Sequence, residues 1–145
     1  MSADDTLWLE SYKNRNVSYT PFVLPSDEIL LQFHSMWFSA SFDEAARILS
    51  KNYSVRPPTV KFGKMPEGEL SHYDISTHVI TISIDIVITT VQMSTFLQSF
   101  FMHLANQKNW MYDKPLHEFY NFEKLESDKF VRQINSRFRE LEHGN

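Results

Sequence analysis

Between Val79 and Leu104 the apolar residues change their spacing, and this change limits the folds open to the chain. Ile80, Ile82, Ile84, Ile86 and Ile88 fall on one parity, with Thr81, Ser83, Asp85 and Thr89 on the other. Such alternation predicts a strand with one apolar and one polar face. One strand of this length is unusual, so a bend or stop is expected near Asp85. From Met93 the period lengthens. Phe96, Leu97, Phe100, Phe101 and Leu104 recur at spacings of three and four, which predicts an amphipathic helix from Met93 to Trp110. Thr95 and Gln98 have the spacing of a capping box at its start.

The rest of the chain divides by the same rules. Residues 1–26 read as a lead-in, with Trp8, Leu9 and Tyr12 as one turn of helix and Pro21 and Pro25 as breakers. Ser26 is a good N-cap, followed by Asp27 and Glu28 where the helix dipole favours acids. Ile29, Leu30, Phe33, Trp37 and Phe38 continue at helical spacing. Ser41 can cap a second segment with Phe42, Ala45, Ala46, Leu49 and Tyr53 on one side. The two segments are either one bent helix or two helices joined near Ser39–Ser41. After Pro57 and Pro58, the run Thr59 to Phe62 is β-prone, Gly63 to Gly68 is a turn, and Glu69 to Tyr73 is a second strand. Asp113-Lys114-Pro115 breaks the chain. A loop with His117, Tyr120 and Phe122 then leads to a last helix over Ser127 to Leu141, capped by Ser127 or Asp128. Its buried stripe is Phe130, Ile134, Phe138 and Leu141. The expected class is α+β, with a small, twisted, mostly antiparallel sheet packed against helices. The organisation is a lead-in at 1–26, one domain at 27–141 and a tail at 142–145.

Composition removes several function classes. The 145 residues suffice for one domain with a real core, and 12 Phe make large flat side chains its main material. Cysteine is absent, so neither disulfides nor thiolate metal sites can form. With 3 Gly, phosphate-cradling loops are disfavoured. Net charge is −4, and Lys129, Arg132, Arg137 and Arg139 are interleaved with Asp128, Glu140 and Glu142. That pattern reads as a solvated helix face and disfavours nucleic acid as a partner. The acidic, polar start and the lack of a long apolar run predict no signal peptide, no membrane span and a cytoplasmic location.

The run Leu97-Gln98-Ser99-Phe100-Phe101-Met102-His103-Leu104, preceded by the strands just described, resembles the motif helix of small zincin metallopeptidases. The nearest group is the minigluzincin-like proteins. The resemblance covers about residues 42 to 141. It implies a zincin-like fold whose helix normally carries His-Glu-x-x-His. The Phe-Phe pair and the following His-Leu are kept here, but Gln98, Ser99 and Met102 stand at the three functional positions. The two His of that motif sit four apart and bind zinc, and the Glu acts as general base. An amide binds zinc poorly, a hydroxyl is not basic near neutral pH, and a thioether suits softer metals. A third ligand on the following helix would fall near Glu126 or Asp128. Shifting the register by one brings His103 to the second-His position, but then Ser99 and Phe100 replace the other two residues.

Other constellations carry less. His103 is a metal ligand only if His72, His78 or His117 lies beside it, and a lone His after an apolar stripe is more often simply hydrogen-bonded. His72-Tyr73-Asp74 and His78 can line a cleft, although turn residues closing a hairpin are the simpler reading. No G-x-S-x-G elbow is present. Met93, Met102 and Met111 read mainly as core filling, and Trp110 and Tyr112 as exposed anchors. The expectation is a protein with no catalytic residues, metal or cofactor. Gln98, Ser99, Met102 and His103 would mark a degenerate binding site for a protein or peptide. The cleft, or an exposed edge of the alternating strand, would take an extended segment by strand addition. The alternative is a small regulator or inhibitor, of the kind mobile elements carry, acting by surface binding to a larger complex.

Overall fold

The computed structural model of the chain describes residues 23–108 and 116–143, the side chains of 116–123 excepted. It contains α1 (Asp27–Phe38), α2 (Phe42–Asn52), β1 (Thr59–Gly63), β2 (Ser71–Asp74), β3 (Val79–Ser83), α3 (Thr89–Gln107) and α4 (Leu116–Glu142). The class is α+β. Trp8, Leu9, Tyr12, Pro21, Trp110, Met111, Tyr112 and the Asp113-Lys114-Pro115 break lie outside the described residues. Among the described residues, no helix is long and apolar enough to cross a membrane.

Ser26 caps α1 as its chemistry predicts, its Oγ accepting from the Ile29 N–H at 3.3 Å. The first two helical segments are separate helices. Ala40 sits in the left-handed region at φ 61, with Ala40 N–H bonded to the Trp37 carbonyl and Ser41 N–H to the Met36 carbonyl. Those paired bonds close a helix end with a left-handed residue, a place glycine usually fills. α2 ends the same way, with Ser54 at φ 56.

The sheet has three strands in the order β1-β3-β2. β1 runs parallel to β3, pairing Val60 with Ile80 and Phe62 with Ile82. β2 runs antiparallel to β3, pairing Ser71 with Ile82 and Tyr73 with Ile80. The sheet is therefore mixed rather than mostly antiparallel. The alternating strand stops at Ser83, as its length required, and it is central, so its two edges are both paired. An exposed edge on that strand is corrected by this order: among the described residues, the free antiparallel edge belongs to β2. Ile80 and Ile82 are fully buried, whereas Ile84 and Ile88 lie beyond the ladder and are exposed.

α3 starts at Thr89, a turn and more before the capping-box position, because Ile86 to Ile88 already leave the sheet. Thr95 is a buried helix-interior residue, and no side chain caps this helix. Phe96 packs on Phe33 at 5.9 Å and on Trp37 at 4.9 Å between ring centroids. Phe101 meets Phe130 of α4 at 5.7 Å. The aromatic core thus joins α1, α3 and α4, with Ala45, Ala46 and Leu49 of α2 closing one side. α4 extends back to Leu116, so His117, Tyr120 and Phe122 are helical rather than in a loop. Ser127 is accordingly no cap. It is buried, and its hydroxyl donates to the Lys124 carbonyl at 3.0 Å. Helices cover one face of the sheet, and His72 and Lys61 on the other face are exposed.

Candidate functional site

β2 is short because turns pin both of its ends. Gly68 precedes it at φ 86, a conformation that suits a residue without a Cβ. After it, the Asp74 carboxylate accepts from Ser76 Oγ at 2.7 Å, Ser76 N–H at 2.9 Å and Thr77 N–H at 3.2 Å. Those bonds, the Ser76 hydroxyl first, hold the carboxyl below the usual aspartate range. His78 completes the turn at φ 59.

Strand parity then sets the directions. Ser71 and Tyr73 turn their side chains toward α3, and exposed His72 turns away. The backbone alternates in its own plane. Ser83 N–H donates to the Leu70 carbonyl, which makes the pairs at Leu70, His72 and Asp74 the hydrogen-bonded ones to β3. The N–H and C=O groups of Ser71 and Tyr73 therefore face the free edge.

Beneath that edge, between β2, α3 and α4, is a cavity of about 440 Å³. Gln98, Ser99 and Met102 line it together with Ser71, Tyr73 and Asp128. Met102 lies four residues after Gln98 and three after Ser99, spacings that make it a neighbour of both on the helix surface and bring the three into the same groove. Ser99 Oγ and Ser71 Oγ are hydrogen-bonded at 2.7 Å, which ties the helix to the strand. Gln98 Nε2 donates to Asp128 Oδ1 at 3.0 Å, which ties the helix to α4. Asp128, rather than Glu126, is the acid that meets α3. Sequence spacing could not choose between them, because the start of α4 sets the register.

His103 lies elsewhere. It is fully buried behind Tyr73 and does not line the cavity. Its Nε2 contacts the Arg56 carbonyl at 2.5 Å and its Nδ1 the Tyr73 hydroxyl at 2.8 Å. Burial pushes its pKa below the ordinary histidine value, so the ring is neutral near pH 7. A carbonyl can only accept, so Nε2 carries the proton and bare Nδ1 accepts from Tyr73. Tyr73 Oη then accepts from His78 Nδ1 at 3.1 Å and from Asn106 Nδ2 at 3.2 Å. Burial also raises the Tyr73 pKa, which keeps the phenol protonated. His78 thus does lie near His103, with ring centroids 5.7 Å apart, but Tyr73 occupies the space between their nitrogens.

Zinc, which the metallopeptidase resemblance implies, does not fit these donors. An amide, a thioether and one carboxylate do not make the imidazole and carboxylate set that zinc prefers. No group of three or more His, Cys, Asp or Glu side chains suited to a metal occurs among the described residues. The Ser99 hydroxyl meets another hydroxyl and no base, so it gains no nucleophilic activation. The groove offers hydrogen-bonding groups, a polarisable sulfur and an open strand edge.

Sequence reasoning missed Ser71 as a groove residue. Its signal was faint: it shares parity with Tyr73, and a small polar residue there permits close approach of α3. No family model matches the chain, and neither a curated protein nor a solved structure matches it.

Proposed function

We propose that this chain is a zincin-like protein that lacks peptidase machinery and binds an extended protein segment along β2. The observation that carries the reading is the open edge of β2 above a groove floored by Gln98, Ser99 and Met102. A metallopeptidase of this kind holds its substrate beneath an edge strand, over the helix that bears the metal ligands. Here an amide, a hydroxyl and a thioether stand at those positions, and Asp128 on the following helix reaches the first of them.

Ser71 and Tyr73 each offer one N–H and one C=O to an incoming strand. Each bond made contributes roughly 1 kcal/mol net. Alone, these bonds would give only weak binding. Alternate side chains of the guest point into the groove and supply the remainder and the selectivity. Antiparallel addition continues the β2–β3 pairing. A guest that binds without cleavage makes the protein a recognition module.

A random-peptide library displayed on phage tests this. Selected peptides should show alternating apolar and polar residues. They should slow amide exchange at Ser71 and Tyr73. Ser71→Pro removes an outward N–H without touching the ladder to β3, and Ser71→Ala controls for the lost hydroxyl bond to Ser99. The proline variant should fold, keep its circular dichroism spectrum and lose the selected peptides that the alanine variant still binds. Retained binding in the proline variant would refute strand addition. Stoichiometric zinc together with peptide cleavage would refute the pseudoenzyme reading.

A further inference from the structure

A second cavity of about 620 Å³ lies between α3 and α4, and Gln98 lines both it and the β2 groove. The two compartments therefore adjoin at one side chain. Met93 and Phe138 contribute buried apolar surface to the second compartment, and Leu70 and Val91 contribute exposed apolar surface. Arg132 and Arg139, two helical turns apart on α4, also line it. The neighbouring Arg137 is bound to Asp27 and Glu140. Neither Arg132 nor Arg139 forms a salt bridge among the described residues, and Arg132 Nε donates only to the Asp128 backbone carbonyl at 3.3 Å. Among the described residues Glu142 is the one carboxylate lining this compartment, so it is locally cationic on a chain of net charge −4.

We infer that the segment bound at β2 continues into this second compartment and carries acidic residues interspersed with Leu or Val there. This deepens the strand-addition reading and rests on it. A guest antiparallel to β2 runs from the Asp74 end toward Ser71, passes Leu70 and arrives over Val91. Its alternating half is thus N-terminal and its acidic half C-terminal. Apolar side chains cover Leu70, Val91 and Met93. Carboxylates reach the guanidinium groups of these two residues, Arg132 and Arg139, whose backbone positions are about 10 Å apart along the helix. Arginine favours carboxylates through its planar fork of donors, and the apolar floor favours a peptide over a nucleic acid. The local positive field also selects an acidic guest against the protein's overall negative charge.

The same phage library separates the two ideas. Against the wild type, selected peptides should carry Asp or Glu beside Leu or Val on the C-terminal side of the alternating half. Against the Arg132→Glu/Arg139→Glu variant, the alternation should persist and the acid enrichment should vanish. A synthetic copy of the leading peptide, with its acids changed to amides, should bind the wild type roughly tenfold more weakly at low ionic strength. It should bind the double variant no worse than the acidic form does. Acid enrichment that survives the charge reversal, or equal affinity of the acidic and amide peptides for the wild type, would overturn this inference and leave strand addition standing. Arg-dependent binding of acidic peptides that is indifferent to Ser71→Pro would overturn strand addition and, with it, the continuity of one guest across both compartments. A wild-type selection with no enrichment would overturn both.

Discussion

The two edges of the sheet are treated in opposite ways. At the β1 edge, the outward Val60 N–H donates to Asp43 Oδ1 of α2 at 2.9 Å, and Phe42 packs over Phe62 with ring centroids 4.7 Å apart. A helix side chain takes the place of another strand, one of the ways folds prevent edge-to-edge association. At the β2 edge, the outward backbone groups of Ser71 and Tyr73 open over a groove instead. Behind β2, Ser71 is tied to Ser99, and Tyr73 separately to His103 and His78. One edge is covered by a backbone hydrogen bond and an aromatic contact from α2. The other is open in front and fixed from behind. A strand held by its side chains can present its backbone without fraying, as a docking edge requires.

The largest expected effect does not distinguish the edges. Phe100→Ala removes a fully buried ring from the helix that supports β2 and β3, and should cost about 3–5 kcal/mol in urea unfolding. A loss confined to one edge would show that the aromatic core is not shared.

Tyr73→Phe should sharpen the contrast. It leaves His103 Nδ1 without a donor and His78 and Asn106 without an acceptor, at a cost of roughly 1–3 kcal/mol. Amide exchange should accelerate in the β2–β3 ladder and stay slow between β1 and β3. Uniform acceleration would contradict a separately anchored β2.

The same network predicts a pH dependence. Burial, chiefly, holds the His103 pKa below its unfolded value of about 6.5. Between those two values the unfolded chain binds a proton that the native state does not, so stability falls as pH drops below about 6.5 and is complete above it. The midpoint of His103, followed by NMR, should be lower in the native protein than in the urea-unfolded chain. A native midpoint at or above the unfolded one would break the assignment of a neutral buried ring.

Asp43→Ala should cost about 1 kcal/mol by leaving the Val60 N–H unpaired. It also opens the second edge, so light scattering should show concentration-dependent association that the wild type lacks. The smallest effect is expected at Gln98→Ala. An exposed hydrogen bond to Asp128 is lost, stability changes by about 0.5 kcal/mol or less, and binding of selected peptides weakens.

Much of the fold was legible in the chain. The Ser26 cap, the buried stripes of α1, α2 and α3, the hairpin of β2 and β3 and the stop before Asp85 all follow from local chemistry and periodicity. Three features were not. The start of α3 was misplaced because Thr95 and Gln98 have capping-box spacing for other reasons: one is buried in the helix, and the other reaches α4. The start of α4 was missed because Ser127 and Asp128 offer capping chemistry, although Leu116, Phe119 and Tyr120 already recur at helical spacing. The place of the alternating strand was missed because alternation reports which face is buried and carries no information about which neighbours pair with it. Of the candidate site, Gln98, Ser99 and Met102 converge on the groove and His103 does not, since one helical step rotates a side chain from the groove to the core.

The sequence alone determined what the motif helix can do chemically. Residue identity fixes donor type, and an amide, a hydroxyl and a thioether are poor zinc ligands in any fold. It also determined the mixture of strand and helix, because apolar period is a local property. Only the tertiary structure decided that Asp128 meets Gln98, that Tyr73 lies between two histidines, and that β2 rather than β3 has the open edge. Each of these depends on contacts between segments distant in the chain, and strand order and helix register are set by the packing of the whole core.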